Sequence, residues 1–259
     1  MADQLLDGSN RFTTHQWSEQ AGWVQSAWKP AGEIALSIYL DRKELVTLLC
    51  TPEKLNALIV GFLRSEGLID RLEDIALMRV CEEEGIADVR LTTPRDVIGT
   101  RMLTSGCGGG VTFDDVPSIA PVVSEFRWNP ALVISSMKKL LHPEGENRKK
   151  GGLHLAALSD GESLLLVSRD VGRHNTLDKI HGEALLRGIN TSDKLLLTTG
   201  RISSEMVTKA AKMGIPVAAS VNSPTDRAVL LAEKLGIAIV GYVRSTRLSV
   251  YSHPERLRT

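Results

Sequence analysis

Residues 194–247 read KLLLTTGRISSEMVTKAAKMGIPVAASVNSPTDRAVLLAEKLGIAIVGYVRSTR, and this stretch decides the fold. Short apolar runs alternate with longer segments of helical period, which predicts strands over 194–199, 216–221 and 237–243. Between them the spacing predicts helices over 204–213 and 224–235, stopped by Gly214 and Gly236. Strand and helix taking turns imply a largely parallel sheet with helices on both faces. Right-handed crossovers would then set every strand-to-helix loop along one rim.

Working outward, a helix is expected over 176–187. A β-hairpin is expected from Leu153–Leu158 and Leu164–Ser168, joined by Ser159-Asp160-Gly161-Glu162. Asn129-Pro130 opens a further helix to about Leu141, and residues 143–152 are polar and loop-like. In the first half, strands are expected over 33–40 and 45–50 around a turn at Asp41–Lys43. Thr51-Pro52-Glu53 reads as a helix start, with a hydroxyl cap followed by proline. Leu55, Leu58, Ile59, Phe62 and Leu63 share one face of that helix, and Gly67 ends it. Further strands are expected over 75–81 and 87–91, whereas residues 1–30 read as an irregular lead-in. A break between Thr92 and Asn129 holds the glycine run around Cys107. The boundary falls there, giving an α+β domain over 1–110 and an α/β domain over 111–259.

Composition narrows the function classes. The chain has 259 residues, 42% hydrophobic and 24% charged, as an ordinary globular protein does. Lys plus Arg equals Asp plus Glu at 31 each, so nothing global attracts nucleic acid or a membrane surface. Three cysteines over this length make no disulfide framework. The N-terminal residues lack a signal-peptide pattern, and no apolar run nears the roughly 18 residues of a membrane span. A reducing, cytoplasmic setting is the expectation.

The rim loops share a chemistry. They are Arg169–Asn175, Thr198–Glu205, Asn222–Thr225 and Gly241–Arg247. Each offers small residues, hydroxyls or amides; three carry arginine, and three open a helix whose free N–H groups favour an anion. Open α/β sheets bind ligands at the carboxyl ends of their strands, so a phosphate-bearing or nucleotide-like ligand is expected there. Blander roles compete. Ser203, Ser223 and Asn175 also suit helix caps, Arg173 and Arg201 could pair with Asp170, Asp178 or Glu205, and His174 could be purely structural. His181-Gly182-Glu183 has the H-x-E form of zinc deaminases, but no cysteine follows Cys107 to complete a zinc site, so no metal is expected.

Cys50 and Cys81 sit in strand-like apolar runs and read as small buried hydrophobes. Cys107 has glycine on both sides, which removes steric cover and suits an exposed thiol. An incidental cysteine in a tight glycine turn fits the spacing equally well.

Several motifs, taken in order, resemble the formate dehydrogenase accessory sulfurtransferase (FdhD/NarQ) family from about Gly32 onward. They are Thr51-Pro52 with Gly61–Gly67, Gly106-Cys107-Gly108, Asp170–Asn175 with Asp178-Lys179, Thr199–Val207, Gly214–Val217, Ser223-Pro224-Thr225 and Gly241–Arg244. The resemblance implies a cytidine-deaminase-like three-layer α/β/α domain without the deaminase zinc. It implies that a cysteine desulfurase loads a persulfide on Cys107, and that the sulfur passes to bis-molybdopterin guanine dinucleotide before formate dehydrogenase receives that cofactor. The cofactor would be held by Arg173, His174, Asn175, Asp178, Lys179, Arg201, Ser203, Glu205 and Ser223. The segment Tyr242, Val243, Arg244, Ser245, Thr246 and Arg247 would join them, and a homodimer is expected. One departure stands out: many members carry C-x-x-C in the glycine loop, and the second position here is Gly110. A persulfide needs only one thiolate, but a neighbouring thiol to relay it is missing. The alternative reading is a cofactor-carrying chaperone without sulfur chemistry.

Overall fold

The computed structural model describes residues 12–28, 30–94, 102–103, 111–112, 119–142 and 152–258. The expected boundary at 110/111, Cys107 and most of the polar loop 143–152 lie outside those residues.

The lead-in is not irregular. β1 (Phe12–Ser18) and β2 (Gly22–Trp28) form an antiparallel hairpin in which Trp17 faces Trp23 and Phe12 faces Trp28. Cross-strand pairs share a face, so the aromatic residues divide between both faces. No single apolar face forms, and the two-residue period is hard to see in the sequence.

β3 (Ile34–Leu40) and β4 (Lys43–Cys50) pair through a turn at Asp41 and Arg42, both at positive φ (48° and 71°) as tight hairpins require. With β5 (Ile75–Cys81) and β6 (Ile86–Leu91) they make a four-stranded sheet ordered β4-β3-β6-β5, parallel only at β3–β6. α1 (Leu55–Ser65) buries Leu58, Ile59, Phe62 and Leu63 against Leu36, Ile38, Leu48 and Val89 of this sheet. Gly67 at φ +73° follows it, with the Leu68 N–H donating to Leu63 O at 2.8 Å, a left-handed stop as expected. The helix start differs from expectation. α1 begins at Leu55 behind Lys54 (φ 55°), and Thr51 caps nothing because its polar atoms bond across to the other sheet. Cys50 is buried as expected, but Cys81 is exposed: it is the last residue of β5, an edge strand.

Two short strands follow, β7 (Met102–Leu103) and β8 (Val111–Thr112), paired antiparallel. The second half contains α2 (Pro130–Leu141), β9 (His154–Ser159), β10 (Leu164–Asp170), α3 (Arg173–Leu186), β11 (Leu195–Thr198) and α4 (Ser204–Lys212). β12 (Val217–Ser220), α5 (Asp226–Leu235), β13 (Ala238–Gly241) and β14 (Ser249–Val250) complete it. The sheet order is β10-β9-β11-β12-β13-β14. Only β11–β12 and β12–β13 pair in parallel, so the sheet is mixed rather than largely parallel. The hairpin partner β9 runs backwards between β10 and β11. β10 and β11 therefore still point the same way, and the carboxyl ends of β10, β11, β12 and β13 share one rim.

Side-chain alternation divides the sheet into two cores. Ala157, Leu195, Leu197, Val217 and Ala219 meet α2 through Val133, Met137 and Leu140. Ala156, Leu158, Leu196, Ala218 and Ile239 face α3, α4 and α5. The result is a three-layer α/β/α unit. α3 starts three residues earlier than expected, because Arg173-His174-Asn175 is polar and shows no apolar period. α5 starts after Thr225, whose Oγ1 accepts from the Ala228 N–H at 3.3 Å, which leaves Ser223-Pro224 in the loop.

α1 lies between its own sheet and α3, and glycine sets the closeness. A Cβ on Gly61 would stand 1.8 Å from Asp178 O, and one on Gly182 would stand 1.9 Å from Ala57 O. The H-x-E tripeptide is absorbed by this packing. Gly182 is the crossing point, His181 is buried beside Ser65, and Glu183 pairs with Lys54. No helix among the described residues is long and apolar enough to cross a membrane.

Candidate functional site at the strand-end rim

The four rim loops are tied to one another in series. Gly200 presses on the first loop, where a Cβ would meet Arg173 Cβ at 2.9 Å. Ser220 Oγ donates to Gly200 O at 2.6 Å, and Asn222 Nδ2 donates to Thr199 O at 2.7 Å. The Thr225 N–H donates to Ile202 O at 2.9 Å. Farther along, the Tyr242 N–H donates to Asn222 O at 3.2 Å and Arg244 Nη1 donates to Val221 O at 2.6 Å. Each loop thus bonds to or packs on its neighbour.

At one end of the rim, Asp170 closes β10 and is wholly buried. Its Oδ1 accepts from the Gly172 N–H and from Asn175 Nδ2, both at 2.8 Å. Its Oδ2 accepts from Lys179 Nζ at 2.6 Å and from the Thr51 N–H at 3.1 Å. Lys179, also wholly buried, further donates to Thr51 O at 3.1 Å and Arg169 O at 3.3 Å. A buried carboxylate with four donors and a buried ammonium with three acceptors form a fully satisfied network.

The structure therefore does not bring every expected residue to the rim. Lys179 is consumed by Asp170. Asp178 pairs with Lys209 at 2.6 Å and accepts from Ser65 Oγ at 2.8 Å, within the α1–α3–α4 junction. Asn175 is no helix cap: its amide reaches Asp170 and Leu49 O. Val243 is buried in the α2-side core, held by its N–H to Ser220 O at 3.0 Å.

His174 lies in the first turn of α3 with its side chain 7% exposed. Nε2 is 3.1 Å from Glu205 Oε2 and 3.3 Å from Ser203 Oγ. Burial pushes the ring down to about 3, aided by the positive charges of Lys209 and Arg173. The adjacent carboxylate favours a charged ring, but desolvation at this depth outweighs it. That shift keeps the ring neutral near pH 7, with Nε2 the nitrogen that faces Glu205. Ser203 begins α4 without a side-chain cap bond, so its hydroxyl serves His174 rather than the helix end. Arg173 Nε is buried with no partner among the described residues, whereas Arg201 is exposed.

The far end is open. Tyr242, Arg244, Arg247 and Ser249 line a cleft of about 230 Å³. Tyr242 takes a left-handed backbone (φ 49°), and the Arg244 guanidinium lies 5.8 Å from its ring centre. Ser245 and Thr246 are exposed beside it, and Ser223 is half-buried. Guanidinium groups in an open cleft suit a diphosphate.

Among the thiols, Cys50 is held protonated, pushed up to about 12 by burial and then by the Asp170 charge. A group so protonated is a poor nucleophile at neutral pH. No cluster of three or more metal-ligating side chains occurs among the described residues.

Sequence reading missed Thr51 and Glu53 as rim supports. Glu53 accepts from Arg169 Nε at 2.6 Å and Nη2 at 3.0 Å, a two-point clamp between the sheets. Over a hundred residues separate these partners, and no local pattern announces such a contact. It also missed His154, which pairs in register with Asp170 and whose ring is pushed down by burial and then by Arg173.

Comparison with known proteins agrees with this architecture. Residues 31–258 match the FdhD/NarQ family. The Bacillus subtilis (strain 168) sulfur carrier protein FdhD is 40% identical over 233 residues, covering 87% of this chain and 89% of that protein. The Staphylococcus haemolyticus (strain JCSC1435) sulfur carrier protein FdhD is 36% identical over 247 residues, covering 93% and 94%. A crystal structure from Desulfotalea psychrophila, described as that of a formate dehydrogenase accessory protein, superimposes with a TM-score of 0.77. It is 26% identical and covers 96% of this chain and 99% of its own. With a family match over nearly its whole length and relatives of this similarity, the chain belongs to the FdhD/NarQ family.

Proposed function

We propose that this protein is a sulfur carrier for formate dehydrogenase, acting in the cytoplasm as a persulfide sulfurtransferase. Family membership supports the sulfur role, and the arginine-lined rim is the observation that carries the ligand. Cys107, as thiolate, attacks the outer sulfur of a persulfide on a cysteine desulfurase. The donor S–S bond breaks, the donor cysteine leaves as thiolate, and Cys107 becomes the persulfide with no net redox change. The sulfur is then delivered to bis-molybdopterin guanine dinucleotide, which is cargo rather than a resident cofactor. Arg244 and Arg247 suit its diphosphate, Tyr242 offers a ring face to its guanine, and Arg173 and Arg201 bring positive charge to the α3 and α4 end. The partners on this reading are the desulfurase, the catalytic subunit of formate dehydrogenase and a second copy of the chain.

Gly110 in place of a second loop cysteine favours one alternative, a cofactor carrier without sulfur chemistry. Complementation separates the two. In cells lacking their own carrier, Cys107→Ser should abolish formate dehydrogenase activity, as should Arg244→Ala. Full activity with Cys107→Ser alongside loss with Arg244→Ala would leave only the carrier role.

A further inference from the structure

We propose that the N-terminal sheet positions the ligand-binding end of α3 through the last residues of β4, with Thr51 as a positioning residue that touches no ligand. The proposal rests on the nucleotide-binding reading above and adds to it a long-range control of the rim.

The loop 170–172 fixes where α3 begins, and the α3 N-terminal N–H groups are donors without partners inside the helix. Two backbone N–H groups of this loop are held. The Gly172 N–H reaches Asp170 Oδ1, and the Val171 N–H reaches Thr51 Oγ1 at 3.2 Å. Asp170 itself is oriented from across the junction by the Thr51 N–H, and Lys179 locks onto both Asp170 and Thr51 O. The remaining tie, Asn175 Nδ2 to Leu49 O at 2.8 Å, runs from the first turn of α3 to the same strand end. The bonds that reach the loop 170–172, Asn175 and Lys179 from the first half thus come from Thr51 and Leu49, with the Glu53–Arg169 clamp beside them. A strand end delivered by a separate sheet holds the loop that aims Arg173 and the helix terminus.

A buried tie of this kind can be weakened without breaking the ion pair. Thr51→Val keeps the shape and the backbone bonds and removes only the oxygen that Val171 uses. Thr51→Ser restores that oxygen. Ser136→Ala serves as a matched control, since Ser136 is equally buried on α2 and bonds Ser159 at 3.2 Å, away from the loop. The full-length protein is used throughout, with guanosine diphosphate as the probe.

Two readouts are taken. Hydrogen exchange should speed up at Val171 and Gly172 in Thr51→Val, remain slow in Thr51→Ser, and not change there in Ser136→Ala. Guanosine diphosphate affinity should fall roughly fivefold in Thr51→Val, as loss of one hydrogen bond implies. It should recover to within about twofold in Thr51→Ser and hold in Ser136→Ala. Unchanged exchange at Val171 and Gly172 would overturn the positioning role. So would equal affinity losses in Thr51→Val and Ser136→Ala, since general loosening would then account for both. If exchange responds as expected but the unmodified protein binds no guanosine diphosphate, the nucleotide reading falls and the positioning of α3 stands.

Discussion

The two ends of the strand rim place their charged residues in opposite surroundings. At the α3 end, Asp170, Lys179, Asp178 and Lys209 are buried and paired at 2.6 Å. At the β13 end, Arg244 and Arg247 are exposed on an open cleft. Both ends carry charges in short polar motifs, yet the four buried side chains form a structural joint and the two arginines stand open to solvent. Solvent makes the difference. A desolvated charge needs a partner at all times, so it cannot be released for a ligand; an exposed one is free to exchange water for phosphate.

That contrast can be broken most forcefully at the joint. Lys179→Met should cost about 3–5 kcal/mol in chemical denaturation, because Asp170 is left buried and uncompensated. A loss below about 1 kcal/mol would mean that the pair is wetter than its geometry indicates. Gly182→Ala should destabilise by about 3 kcal/mol, since the new methyl must push α1 backbone away from α3. Normal stability there would contradict the glycine crossing.

Acid offers a graded test. His174 and His181 are both pushed down to about 3 by burial, so in the folded state they stay neutral while the unfolded chain takes up protons near 6.5. Stability should therefore be fully present above the unfolded value and fall as pH drops from about 6.5 toward 3. The slope is about 1.4 kcal/mol per pH unit for each ring. His181→Asn should remove its share of that slope, measured by denaturation at several pH values. The smallest stability effect belongs to the open end: Arg247→Ala should change folding by less than about 0.5 kcal/mol while weakening guanosine diphosphate binding about tenfold. A large stability loss there would erase the distinction between the two ends.

Much of this was legible in the sequence, and for a physical reason. The strands 195–198, 217–220 and 238–241 and the two helices between them are local, periodic and bounded by glycine, so pattern alone locates them. The rim followed from their order. What stayed hidden was long-range. Nothing near Thr51 announces that its hydroxyl serves Val171, and nothing near Lys179 tells a reader that it is sealed from ligand. The β1–β2 hairpin escaped because its aromatic residues divide between two faces. Gly61 and Gly182 were visible as glycines, but only the helix crossing says why neither can carry a side chain.

On the proposed function, sulfur resides on Cys107. The direct measurement is peptide mass mapping of the purified protein after incubation with a cysteine desulfurase and cysteine. A gain of one sulfur atom confined to the Cys107 peptide, absent in Cys107→Ser, is the predicted result. An unmodified Cys107 peptide, with sulfur on Cys81 or Cys50 instead, would contradict it.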